Sequence, residues 1–393
     1  MQNYMPIYLD YQASTPVDSA ILRTMLPYFT ESFANPHSAG HAAGWDADRA
    51  IEAAQIRIAS YISCDPDEII FTSGATESNN LAILGLRKLL VGGNRNKIVT
   101  TTIEHKSVLD PCRVAAEDFG AVINRCNVDE DGYISEEELE AATDENTLLV
   151  TFGSVNGEIG TIQRVDKIYK RAARFGALVH LDAAQMPVAS DMSAITSCAD
   201  LISLSGHKMY GPKGVGCLYV RREIQNMIAP LIFGGGQQRN IRSGTLPVPL
   251  CVGMGAAAEV FGSCQGEREK LRAKTAKFWN GLNTLGFDIL LNGPSLSERH
   301  PGNLNVRFPG YEAEDILAAL QPHLAASTGS ACTSGTPQAS HVLRGIGLTE
   351  EEARSSLRFS VGYVTTEEEI VRAIELVGSA LRRLGSVNSQ VWG

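Results

Sequence analysis

Three short segments carry residue types that can bind and activate a small organic molecule. In FTSGATESNN, Ser73-Gly74-Ala75-Thr76 follows a strand-like run and opens an apolar helical pattern. A Gly-rich turn of this kind aims free backbone N–H groups and a hydroxyl at an anion, with phosphate the natural guest. Its blander use is a helix cap, with Ser73 or Thr76 satisfying its own backbone. It is no Walker loop, because no Gly-Lys-Ser/Thr follows at the required spacing. In ALVHLDAAQ, Asp182 ends an apolar run and Gln185 stands three residues on. A carboxylate there can hold a protonated pyridine nitrogen and Gln185 can donate to a phenolic oxygen; the alternative is a turn Asp binding local N–H groups. In LISLSGHKMYGPKGVG, Ser205, His207 and Lys208 follow another apolar run. A lysine in a pocket beside a cofactor has the lowered pKa that Schiff-base formation needs, whereas a single loop lysine is ordinarily solvated. The combination matters: phosphate turn, strand-end Asp and strand-end Lys, in that order on one sheet edge, meet the requirements of pyridoxal 5'-phosphate.

The cysteines point to a second chemistry. All eight (64, 112, 126, 198, 217, 251, 264 and 332) are scattered, with no C-x-x-C pair and no zinc-ligand spacing, which fits a reducing cytoplasm. Cys217 in GVGCLYV and Cys251 in PLCVGMG sit in apolar settings and read as structural. Cys332, in AASTGSACTSGTPQASHVL, sits among small and polar residues and reads as an exposed, mobile loop thiol that can act as a nucleophile. One segment imitates a metal site. NVDEDGYISEEE (127–138) sets Asn127, Asp129, Asp131, Ser135 and Glu138 at calcium-loop positions, with Gly132 at the turn. The preceding AVINRC looks like a strand rather than an entering helix, and Ser135 with Glu138 reads as a capping box, so no metal is expected.

These residues need a scaffold that ends several strands at one place. Apolar, β-branched runs at 68–73, 97–102, 147–152, 177–182, 200–205 and 216–220 lack polar alternation and are separated by helical patterns such as ESNNLAILGLRKLL and VDKIYKRAARFG. Strands buried on both faces of a mostly parallel α/β sheet look like this, and ligands bind outside their carboxyl ends. The expected architecture is a large α/β domain over 15–260. A smaller α+β domain takes in 1–14 and 261–393, ending on the helix TTEEEIVRAIELVGSALRRL and a polar tail, SVNSQVWG. With 44% hydrophobic and 20% charged residues in 393, the chain reads as soluble and globular. A net charge of -10 gives no electrostatic footprint for nonspecific nucleic-acid or anionic-membrane binding. The N-terminus lacks the basic start of a signal peptide, and no run is long enough to cross a bilayer.

FTSGATES, TTIEHKS, VNGEIG, HLDAAQ, LSGHKMYGPKGVG, RSGTLP, GSACTSG and SSLRFSVG closely resemble the motifs of the cysteine desulfurases, specifically group I, the NifS/IscS type. The resemblance runs from YLDYQASTP to the TTEEEI helix. It implies a fold-type I pyridoxal-phosphate homodimer that takes sulfur from L-cysteine, leaves L-alanine and carries a persulfide on Cys332. A protein acceptor would receive that sulfur, for iron–sulfur cluster assembly or a thiolation pathway such as DNA phosphorothioation. By matching position, Lys208 is the implied Schiff-base lysine, Asp182 the pyridinium partner, and His105 the ring that stacks on the cofactor and moves protons. Asn156 and Gln185 are implied contacts of the phenolic oxygen or the substrate. Ala75, Thr76, Ser205 and His207 are implied to hold the phosphate, with Thr245 of RSGTLP reaching across from the partner subunit. Arg358 is implied to pair with the substrate carboxylate, a use suited to its planar fork. Selenocysteine lyase or another pyridoxal-phosphate enzyme is the alternative activity. A calcium-binding module through 127–138 is the alternative of a different class. The chain departs from the pattern at Gly157, where many relatives have a second Asn.

Overall fold

The apolar runs become strands of a central sheet in the computed structural model, which describes residues 6–261, 265–328 and 339–391. Along the chain, β1 (Ile7–Tyr8) is followed by β2 (Ile69–Thr72), β3 (Lys97–Thr101), β4 (Val122–Cys126), β5 (Thr147–Gly153), β6 (Leu178–Asp182), β7 (Leu201–Ser205) and β8 (Gly216–Val220). Strands β2 to β8 form one sheet in the order β2-β8-β7-β6-β5-β3-β4. Of the seven, β8 alone runs opposite to the other six. The lack of polar alternation has a direct cause. In β8, Cys217 and Tyr219 enter the apolar cluster on one face, while Leu218 and Val220 enter that on the other. Both faces are therefore dry, and burying each such side chain is worth about 1.5–3 kcal/mol.

The helices Ala75–Leu84 and Lys106–Phe119 pack together over one face. Ala42–Ile62 and Val248–Phe261 pack together over the other, contributing Ile51, Ile58, Met254 and Phe261 to its core. The stretch ESNNLAILGLRKLL, read as one helix, is two, Ala75–Leu84 and Arg87–Gly92. It breaks at Gly85, where the chain turns and Ala229 donates its N–H to the Gly85 carbonyl.

Beyond residue 265 come β9 (Leu290–Leu291), β10 (Asn303–Arg307), β11 (Leu324–Ala325) and β12 (Ser356–Ser360). An antiparallel sheet runs β12-β10-β9, and β1 pairs in parallel with β11. The helices Gln265–Asn283 and Glu367–Val391 pack against each other, the second running on through most of the segment read as a polar tail.

Segment 127–138 is entered from a strand, β4. One Asp129 carboxylate oxygen accepts the N–H groups of Asp131 and Tyr133, closing the turn on itself. Ser135 caps the helix Glu136–Ala142 by accepting the Glu138 N–H. The expected capping box is only half formed, because the Glu138 carboxylate turns to the Asn127 N–H. Among the described residues no helix is long and apolar enough to cross a membrane.

Candidate active site

The carboxyl ends of β6 and β7 and the start of the helix Ala75–Leu84 converge on a cavity of about 590 Å³. That helix is entered through Gly74, whose φ of 154° favours glycine, and no side chain caps it. The capping role considered for Ser73 and Thr76 is therefore not taken up. The Ser73 N–H donates instead to Glu77 Oε2 at 2.7 Å. Gly216, opening β8, allows this close turn, since a Cβ there would stand 2.6 Å from the Gly74 Cα. The uncapped helix start, carrying the positive end of the helix dipole, faces the cavity through Ala75 and Thr76.

On the adjoining strand ends, Ser205 closes β7, and the turn Gly206–Lys208 carries His207 and Lys208 to the cavity wall. The Lys208 ammonium donates to the carbonyls of Gln12 and Ala13. Burial, with the Arg358 charge behind it, brings Lys208 down to about 8 against the pull of Asp182 and Asp10. His207 falls to about 4 through burial and the charges of Lys208 and Lys213. Asp182 closes β6; its Oδ2 accepts from Asn79 Nδ2 at 2.7 Å and its Oδ1 from the Ala184 N–H at 3.0 Å. Gln185 faces the cavity while its Nε2 donates to the Gln12 carbonyl at 3.0 Å.

His105 caps the helix Lys106–Phe119: its Nδ1 accepts the Ser107 N–H at 3.1 Å and lies 2.7 Å from the Ser107 hydroxyl. Burial holds it below the ordinary histidine range. Beside it, Glu104 is buried and pushed up to about 7 by burial, against hydrogen bonds from Thr101 and Gly153.

Three sequence expectations lie differently from the rest. Asn156 lines the cavity, but its Nδ2 donates to the Ile103 carbonyl at 3.1 Å, and its Oδ1 accepts from Glu158 and Ile159 at 2.9 and 3.1 Å. One amide hydrogen at most remains for a ligand. Arg358, in the middle of β12, is outside the cavity wall, with its guanidinium on Asp10 Oδ1 at 2.7 Å and the Gly157 carbonyl at 2.8 Å. Thr245 is exposed and does not line the cavity.

Cys332 lies outside the described residues. The residues flanking its segment are held close by. Ser327 exchanges backbone hydrogen bonds with Arg358, and His341 Nε2 bonds the Glu104 carbonyl at 2.8 Å. Cys217 and Cys251 are buried, their thiols pushed up by burial, as structural cysteines are.

Asn79, Ser107, Glu104 and Gln12 belong to the site and were not singled out in the sequence. Asn79 could have been found by position, since one helical turn past Ala75 it shares the face that looks back at the strand ends.

The donor set fits pyridoxal phosphate: an uncapped helix start with Thr76 and Ser205 hydroxyls for the phosphate, a low-pKa lysine, and a strand-end carboxylate held by N–H donors. Fold and site together define a pyridoxal-phosphate enzyme of fold type I. The family described as aminotransferase class-V matches residues 7–372. The cysteine desulfurases IscS of Rickettsia akari and Rickettsia felis are 45% and 44% identical over 393 residues, spanning 99% of this chain and 94% of theirs. Among solved structures, a NifS-like protein superposes with a TM-score of 0.89 at 33% identity, covering 96% of this chain and 100% of that one. A structure of SspA in complex with cysteine gives 0.80 at 38% identity over 91% of this chain and 99% of its own. The chain belongs to the class-V aminotransferase family and, within it, to the cysteine desulfurases of the NifS/IscS type.

Proposed function

We propose that this chain is a cysteine desulfurase that moves sulfur from free L-cysteine to Cys332, releases L-alanine and hands the sulfur to a protein acceptor. The observation that carries this is Lys208. At about 8, a useful share of the buried side chain is the neutral amine that can take a proton from carbon.

Pyridoxal phosphate, when bound, supplies an electron sink for the charge left at the substrate α-carbon. Ala75, Thr76, Ser205 and His207 would hold its phosphate, Asp182 its ring nitrogen, and Gln185 and Asn156 its phenolic oxygen or the substrate, with His105 beside it as a group that moves protons. Lys208 takes the α-proton and returns it to carbon. Arg358 orients the substrate carboxylate, exchanging it for the Asp10 partner it now has. The Cys332 thiolate attacks the substrate sulfur: an S–S bond forms as the C–S bond breaks, and the electron pair of that bond stays with carbon. One proton, the equivalent of that given up by the Cys332 thiol, then reaches the β-carbon to complete alanine. Cysteine plus a thiol becomes alanine plus a persulfide, with no outside oxidant.

The cysteine named in the SspA structure supports this substrate. The exposed Thr245 suits a homodimer in which it reaches the cofactor of the other subunit. The pairing of β1 with β11 supports dividing the chain into 15–260 and a smaller domain of 1–14 with 261–393. A persulfide carrier suits a reducing cytoplasm.

The test is to supply L-cysteine to the holoenzyme and follow alanine, with mass spectrometry of the peptide holding Cys332. One added sulfur on that peptide, lost in Cys332→Ala together with alanine release, is expected. Full alanine release by Cys332→Ala would overturn the nucleophile, and no alanine from the parent chain would overturn the activity.

A further inference from the structure

Two buried side chains that none of these roles uses join Asp182 to His105. Asn79, fully buried, donates its Nδ2 both to Asp182 Oδ2 at 2.7 Å and to Ser107 Oγ at 2.8 Å. An amide nitrogen has two hydrogens, so both are committed. Flipping the amide would set its oxygen against the Asp182 carboxylate. The observed orientation is kept although it leaves Asn79 Oδ1 buried without a partner among the described residues. Having accepted from Asn79, the Ser107 hydroxyl has one hydrogen to give, and His105 Nδ1 lies 2.7 Å away. The Ser107 N–H donates to the same nitrogen. Nδ1 therefore faces two donors and must be an acceptor.

We infer that Asn79 and Ser107 are positioning residues that relay the Asp182 charge to His105, fixing its imidazole as the neutral tautomer with the proton on Nε2. The inference deepens the desulfurase reading and rests on it for its meaning. His105 then meets the reacting groups as a hydrogen-bond donor through Nε2. It cannot become an imidazolium without turning the Ser107 hydroxyl away and breaking the chain of bonds. Two shells act together on this ring. Burial disfavours its charge first; of the charged groups facing it, Lys208 and His341 work the same way, while Asp182 and Asp110 oppose them. The relay adds to the first set, because a donor aimed at Nδ1 stabilises only the neutral ring.

The test uses the holoenzyme without cysteine, labelled with nitrogen-15 histidine, and long-range proton–nitrogen spectra that report which ring nitrogen carries the proton. In the parent, His105 is expected with its proton on Nε2 alone. Ser107→Ala is expected to give a mixture of tautomers and raise the His105 titration midpoint by about one pH unit, with Ser107→Thr restoring both. The acidic limb of kcat/KM for cysteine should move with that midpoint. Asn79→Leu, which removes the amide and keeps the hydroxyl, should shift the midpoint in the same direction. A parent proton on Nδ1 overturns the relay. So does a Ser107→Ala protein whose tautomer and midpoint are unchanged. Because the tautomer is read without substrate, a protein with the Nε2 proton that releases no alanine would sink the desulfurase reading alone.

Discussion

The two sides of the proposed site are built in different ways: the cavity, which the proposed function gives to the cofactor, and the region around Arg358 outside its wall, which it gives to the substrate carboxylate. The cofactor side is made where strands end. Asp182, Ser205 and Lys208 leave β6 and β7 next to each other, and the helix from Ala75 starts beside them, so short stretches of chain supply all the chemistry. The substrate side is made by side chains meeting across the sequence: Arg358 pairs with Asp10, and β12 carries it past Ser327 and the Gly157 carbonyl. Each side also holds one buried carboxyl pushed up to about 7, Glu104 on the first and Glu158 on the second. The cofactor side gains precision from rigid strand ends. The substrate side rests on the ion pair of Arg358 with Asp10, which in the proposed function a substrate carboxylate replaces.

Substitutions at five positions would break or sharpen that contrast. Lys208→Ala should have the largest effect, lowering alanine release at saturating cysteine by about 1,000-fold or more, because proton transfer to and from carbon loses its agent. Steady-state kinetics checks it, and a small loss would mean the proton is moved from the other side. Arg358→Ala should raise KM for cysteine about 100-fold with a smaller change in kcat, whereas Arg358→Lys should recover only part, lacking the fork. Equal loss in kcat and kcat/KM would show that Arg358 acts on the reaction rather than on binding.

Third comes Glu104→Gln, read in urea melts at pH 5 and pH 8. The folded carboxyl, at about 7, keeps a proton that the unfolded chain gives up near its ordinary value of 4.5. The folded state therefore binds more protons between those values, and the stability of the parent falls as pH rises through that window and stays lower above it. Gln imitates the protonated form, so the variant should match the parent at pH 5 and exceed it by about 2 kcal/mol at pH 8. Glu158→Gln should show the same sign. Unchanged slopes would mean that both carboxyls are already ionised in the fold. The smallest effect is expected from Gly157→Ala. An added Cβ would lie 3.3 Å from Gln185 Nε2, so Gln185 must shift by a few tenths of an ångström, and KM should change by about 2–5-fold.

Much of the cofactor side was legible because an apolar run that ends in Asp or in Ser-Gly-His-Lys marks both a strand and what stands at its edge. Six runs became strands of the central sheet, and nine of the expected residues line one cavity. The substrate side was less legible. Nothing local to LRFS points to Asp10, 348 residues away, and nothing in VNGEIG reveals that the Asn156 amide is spent on the main chain. The Asn79 relay was hidden for the same reason. Asn and Ser at buried helix positions carry no signal in a pattern of apolar and polar letters, and their value lies wholly in what the neighbouring strand end brings to them.

By itself the sequence determined which elements form and which residues stand at their ends, because backbone preference and hydrophobic period act over a few residues. It thereby determined the cofactor chemistry available to this chain. The tertiary structure decided the rest: that β6 and β7 lie side by side, that Asn79 reaches Asp182 across 103 residues, and that Arg358 finds Asp10. Those contacts come from the order of strands in a sheet, which follows from burying both of its faces at once and is written in no single segment.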